Sequence, residues 1–233
     1  MSYLRRTSPA ALLIAALLGV GCGSSSSPSG NGVEAKSATQ ILEATKLAAS
    51  EATSVHIAGS IVSGGKPITL DMELLAGKGG KGKIGQEGFT IDLVQTEGSV
   101  YINGSAAFYR HVGGTAAAQL LQGRWLKAPS NSGELASLAS LTNLSKLIDT
   151  ALANHGALTK GSTTKIEGQP AIAINDTAKA GTLYVATTGK AFPLEIAKNG
   201  KESGKVLLNR WDQPVTLTPP KNAIDISKLQ NGG

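Results

Sequence analysis

One cysteine, three histidines and an aromatic fraction of 4% are what this 233-residue chain has little of, and each scarcity excludes something. A single Cys cannot close a disulfide framework, and with three scattered His it does not supply a structural zinc site. His56, His111 and His155 stand far apart with no acidic pair beside them, so no metal is expected. No Gly-x-Ser-x-Gly elbow marks a hydrolase nucleophile, and no convergent set of titratable groups emerges, so the chain reads as a non-enzyme with no cofactor. Few rings also mean a core of Leu, Ile, Val and Ala. A hydrophobic fraction of 41% and a mean hydropathy of +0.01 argue against both wholesale disorder and a multi-span membrane protein.

What is present begins at the N-terminus. Arg5 and Arg6 precede an apolar stretch from Ala10 to Val20, which is too short for a permanent bilayer span and has the layout of an export signal. Gly21-Cys22 follows directly, and this placement resembles the lipobox of bacterial lipoproteins, although Gly19 stands where that motif usually carries Leu. The resemblance implies cleavage after residue 21 and acylation of Cys22. Gly23 to Gly32 reads GSSSSPSGNG, the composition of a flexible tether. The expected organisation is therefore a signal peptide over 1–21, a lipidated Cys and tether over 22–36, and one domain over 37–233. Removing Arg5 and Arg6 lowers the basic residues from 22 to 20 against 16 acidic ones, a net +4. Such an excess suits anionic lipid headgroups. Nucleic acid is not an expected partner, because the lysines are dispersed and not interleaved with stacking aromatics.

Beyond residue 37 the periodicity alternates between two regimes. Ile41, Leu42, Thr45, Ala48, Ala49 and Ala52 recur at helical spacing after Ser37, a natural N-cap. The period then drops to two in Val55/Ile57/Gly59/Ile61, Ile68/Leu70/Met72/Leu74, Phe89/Ile91/Leu93 and Val100/Ile102, with polar residues between. That alternation predicts antiparallel strands with one dry face. Ser63-Gly64-Gly65, Gly77 to Gly82 and Glu97-Gly98 read as the turns of a meander. Helical character returns in Thr115–Leu121 and Glu134–Asn154, where Thr142 is placed to restart the helix after a break, and Trp125–Lys127 reads as a short strand between them. Six further strands are expected at 163–167, 171–175, 182–186, 194–198, 205–211 and 215–218, before Pro219-Pro220 ends the ladder. A sheet with one dry face needs a cover, and the helices are the apolar elements available.

Two motifs invite chemistry that their context does not support. Gly77 to Lys83 fits Gly-x-Gly-x-x-Gly and nearly fits the Walker phosphate loop. Ile84, however, replaces the Ser or Thr that would hold magnesium, and no helix follows. Asp71 and Glu73 share a strand face and imitate a catalytic carboxylate pair, yet the alternation puts them on the wet side.

Several phrases in the mature chain resemble the LppX/LprAFG group of actinobacterial lipoproteins. They are Gly98 to Gly104 (GSVYING) with Phe108 and Tyr109, Gly123 to Lys127 (GRWLK), Gly181 to Val185 (GTLYV), Phe192 to Ile196 (FPLEI), and Asn209 to Val215 (NRWDQPV) leading to Pro219-Pro220. The resemblance implies a LolA-like α+β fold: a curved antiparallel half-barrel of about ten strands with helices covering its concave face. It implies a carrier that binds acyl chains of lipids or glycolipids in an apolar cavity and works on the extracytoplasmic face of the cell membrane. Membrane attachment would run through Cys22, and an envelope transporter is a natural partner. Carried over by strand, the inward-facing cavity candidates are Ile57, Ile61, Leu70, Met72, Leu74, Phe89, Ile91, Leu93, Leu183, Val185, Leu194, Ile196, Val206 and Leu208. Each guest methylene buried there would gain about 0.8 kcal/mol. The competing reading is an ordinary packed core under the same face. In that case the protein would be an envelope sensor or adaptor that binds a protein partner.

Overall fold

The computed structural model describes residues 30–131, 135–153 and 155–227. The expected signal peptide and Cys22 lie outside these residues. The first helix, α1 (Ala38–Ser50), starts where the sequence places it: the Ser37 hydroxyl accepts from the Gln40 N–H at 3.3 Å, and the Gln40 side chain accepts from the Ser37 N–H at 3.0 Å. This reciprocal cap satisfies two otherwise orphaned donors. Residues 30–36, expected within the tether, are held against the sheet. Asn31 N–H donates to the Thr187 carbonyl at 2.8 Å, its side-chain amide donates to the Ala186 carbonyl at 2.9 Å, and Val33 is buried.

Five strands follow as a meander: β1 (Ser54–Ser63), β2 (Lys66–Leu75), β3 (Gly79–Gln86), β4 (Phe89–Thr96) and β5 (Ser99–Gly104). Helix α2 (Ala106–Leu121) leads to β6 (Leu126–Pro129), and α3 (Leu135–Ser140) and α4 (Leu144–Ala153) precede a second meander. That meander comprises β7 (Leu158–Ile166), β8 (Gln169–Asp176), β9 (Gly181–Ala186), β10 (Pro193–Lys198) and β11 (Gly204–Asn209), and β12 (Ile224–Asp225) closes the count. All twelve strands form one curved sheet in the order β12-β6-β5-β4-β3-β2-β1-β11-β10-β9-β8-β7. The two meanders are joined where β1 pairs antiparallel with β11, and the ends β12 and β7 do not meet. The expected α+β class, with an unclosed antiparallel sheet and helices on one face, is the observed one.

Several local expectations are corrected. The glycine-rich segment Gly77 to Gly82 is not only a turn, because Gly79 onward is β3, paired with β2 and β4 along its length. Its inward positions Gly80 and Gly82 carry no side chain to signal a strand. Helix α2 starts at residue 106 and not at 115; Ser105 caps it by accepting from the Phe108 N–H at 3.3 Å, and the helix kinks at Gly114, whose φ is 75°. Strand β7 begins at residue 158, five residues early, across a register shift between Lys160 and Thr163. No strand forms at 215–218. Pro214, Pro219 and Pro220 flank that stretch without N–H donors, and the chain pairs instead at Ile224 and Asp225, parallel to β6.

The core sits between the sheet and the helices. Ile41 and Leu42 of α1, Tyr109 and Ala118 of α2, and Leu144, Ile148 and Leu152 of α4 pack against Val55, Leu74, Leu93, Val100, Ile174 and Val185 from the strands. Thr142, completely buried between α3 and α4, pins that junction: its hydroxyl donates to the Ala139 carbonyl at 2.7 Å and is hydrogen-bonded to the Gln95 side chain of β4.

Candidate functional site

Along β1 and β2 the inward residues become progressively less covered toward the β1–β2 turn. Val55, Ile57 and Ile61 are 0, 8 and 36% exposed. On β2 the trend repeats, from fully buried Leu74 and nearly buried Met72 to half-buried Leu70 and Ile68. The helices therefore fill one end of the sheet's inner face and leave a hollow at the other. Its volume is about 480 Å³, within the range of roughly 300–1,000 Å³ typical of small-molecule sites.

The floor of this hollow crosses six adjacent strands. Ile57 and Ile61 come from β1; Ile68, Leu70 and Met72 from β2; Ile84 and Gln86 from β3; Phe89 and Ile91 from β4; Ile196 from β10; and Val206 and Leu208 from β11. Leu138, Leu147, Ile148 and Ala151 of α3 and α4 form the roof, and Leu141, 38% exposed, joins Ile61 at the rim. Among the described residues, Gln86 is the sole polar side chain in the lining. At the closed end, Gly80 lets β3 pack closely under its neighbours: a Cβ there would lie 3.3 Å from the Thr142 side chain and 2.6 Å from that of Leu74.

Nine of the fourteen sequence candidates line this hollow: Ile57, Ile61, Leu70, Met72, Phe89, Ile91, Ile196, Val206 and Leu208. Leu74, Leu93 and Val185 face the same side but are packed at its closed end among the helices. Leu183 lines a second, adjoining pocket of about 400 Å³, which shares Ala151 and Ile196 with the first and has Lys179, Lys198, His155 and Asp176 around it. Leu194 departs from expectation. A register shift between Pro193 and Glu195 turns it to the opposite face, where it packs with Ala171 and Ala186. Sequence reasoning did not nominate Ile68, Ile84 or the roof residues. Ile68 has the parity of Leu70, and Ile84 is the cross-strand partner of both Leu70 and Ile91, so alternation carried their signal. Gln86 had none.

The opposite face of the sheet is charged. Glu73 receives Lys81 at 3.2 Å and Arg210 at 3.1 Å, Lys83 meets Asp92 at 3.3 Å, and Lys205 meets buried Glu195 at 2.8 Å. The Glu195 carboxylate raises the Lys205 ammonium above its ordinary range by accepting its hydrogen bond and by charge attraction. Two lysines of the phosphate-loop-like segment are thus ion-paired across strands, on the face away from the hollow. His56 sits between Asp71 (2.7 Å) and Asn209 (2.8 Å) on this same face. Among the described residues, no group of three or more His, Cys, Asp or Glu is placed to hold a metal ion.

Proteins of known structure share this architecture. LprF from Mycobacterium bovis superposes with a TM-score of 0.56 at 14% identity, over 78% of this chain and 96% of its own. The lipoprotein LppX of Mycobacterium tuberculosis gives a TM-score of 0.53 at 16% identity, over 78% and 98%. The chain has the LppX/LprF fold. That is the fold the sequence phrases anticipated, here established by backbone geometry at an identity too low to carry function with it. No protein-family model matches the sequence, and no curated protein matches it.

Proposed function

We propose that this protein is a non-enzymatic lipoprotein, anchored through Cys22 on the extracytoplasmic face of the membrane, that binds acyl chains of lipids or glycolipids and carries them within the cell envelope. The observation supporting this most directly is the hollow of about 480 Å³, with Gln86 as the sole polar side chain among its described lining residues. An apolar space of this kind takes up alkyl chains through burial alone, at about 0.8 kcal/mol per methylene, and its half-covered rim gives a chain a way in. LppX is itself described as a lipoprotein, in keeping with an anchored location. Among the described residues, no helix is long and apolar enough to cross a membrane.

The test is mass spectrometry of organic extracts from the protein purified out of a related host, with Cys22→Ser to remove any covalent lipid. A stoichiometric lipid that survives gel filtration is the expected result and names the cargo class. A folded protein that yields no lipid overturns the carrier reading in favour of an envelope adaptor with a protein partner.

A further inference from the structure

From Gly98 to Gly133 the chain contains no Asp or Glu, while Arg110, Arg124 and Lys127 fall within that span. Helix α2 occupies its centre and turns an unusual surface outward. Val112 and Leu120 are 60% and 63% exposed, and every residue from Arg110 to Ala116 is exposed. Neither Arg110 nor Arg124 forms an ion pair with a described residue, whereas Lys81, Lys83, Lys190, Lys198, Lys205 and Arg210 are all paired with carboxylates. The helix is tied to the rim of the hollow through aromatic contacts: Phe89, which lines the hollow, stacks on His111 with centroids 5.6 Å apart and meets Phe108 at 5.8 Å. Val112 is the next residue along.

We propose that the outward side of α2 is a docking surface for an anionic lipid bilayer and presents the mouth of the hollow to that surface. Exposed aliphatic side chains beside unpaired arginines are the composition that adsorbs at a headgroup interface. Gly113, Gly114, Ala116 and Ala117 between them offer little of the aromatic relief on which protein interfaces concentrate their energy. The inference rests on the membrane location proposed above, but not on what fills the hollow.

Hydrogen exchange read by mass spectrometry tests it, using the full chain as its host processes it, with vesicles of phosphatidylcholine alone or mixed with phosphatidylglycerol. Amides of α2 should slow on the anionic vesicles while those of edge strand β7 do not change. Replacing Arg110 and Arg124 by Gln should lower vesicle affinity about fivefold per arginine, and V112S with L120S should abolish the protection. Unchanged exchange in α2, equal protection on neutral and anionic vesicles, or protection that grows with protein concentration in the absence of vesicles overturns the proposal, the last result assigning the surface to a second copy. Lipid retention in the purified protein is a separate readout. Loss of docking with retained lipid defeats this inference alone, and the converse defeats the carrier reading alone.

Discussion

Gly82 faces Met72 across the β2–β3 ladder so closely that a Cβ on Gly82 would lie 2.6 Å from the Met72 sulfur and 2.1 Å from the Asp71 carbonyl oxygen. The missing side chain at Gly82 is therefore what lets Met72 lie flat over β3 as part of the floor of the hollow. Gly82→Ala is expected to destabilise the protein by about 1–3 kcal/mol, the usual cost of forcing extra volume into a packed site. Urea titration followed by circular dichroism checks this, and an unchanged midpoint would contradict the packing described.

Leu70 and Leu93 both face inward, yet the structure gives them different parts. Leu70 is half-buried in the lining of the hollow, while Leu93 is 1% exposed and locked into the core. Leu70→Lys should leave a folded protein, because the long stem of the lysine can reach the rim with its ammonium in water, and lipid retention should fall sharply. Leu93→Lys should instead unfold the domain, since an unpaired charge is driven into apolar surroundings. Thermal melts paired with lipid extraction separate the two, and identical behaviour of the variants would show that the hollow is ordinary core.

Tyr109 is fully covered, and its hydroxyl accepts from the Gly104 N–H at 3.1 Å. Burial raises its phenol above the ordinary range, so it stays neutral at physiological pH. Tyr109→Phe leaves the Gly104 donor without that partner, and a loss of about 1–3 kcal/mol is expected. Chemical denaturation reads it directly, and a neutral result would mean that the donor finds another acceptor.

Asp212 ties the C-terminal segment to the start of β1. Its carboxylate accepts from the Thr53 N–H at 2.8 Å and from Lys190 at 2.9 Å, and these bonds hold it below the usual carboxylate range. Because the folded-state value is depressed, the stabilisation is fully present above the unfolded carboxylate range, near pH 4, and fades as the pH falls through the lower folded value. Asp212→Asn should cost about 1–2 kcal/mol at neutral pH, with the gap from the parent closing in acid. Melting temperatures at several pH values give the comparison, and a gap that does not narrow at all as the pH falls would refute it.

How far the sequence foretold the molecule depended on whether a residue's neighbours carried a hydrophobic signal. Strands with aliphatic alternation, such as 54–63 and 66–75, were legible, and so was the Ser37 cap, because a hydroxyl three residues before a glutamine has a local geometric meaning. Strand β3 was misread because two of its inward positions, Gly80 and Gly82, are glycines, whose role is to leave room, and absence of volume has no periodicity. Leu194 was misplaced for a different reason: a single register shift beside Pro193 reverses the facing of the residue after it, and nothing in the composition of β10 announces the shift. Nine of the cavity candidates were recoverable from strand parity. The boundary between hollow and packed core was not, because it depends on where α1 and α4 lie over the sheet.

The open ends of the sheet have a mechanical consequence. In a closed barrel, strand number and shear fix the girth, so the interior cannot widen without breaking ladder bonds. Here β7 and β12 stay apart, and the sheet can flatten or tighten by small changes of twist shared over eleven pairings, each left intact. The capacity of the interior is then governed by the grip of the roof, through contacts such as Thr142 on Gln95, and not by the ladder. Under the proposed carrier function, guests of different girth would be accommodated by elastic strain distributed along the sheet, with the helix cover as the clasp that sets its limit.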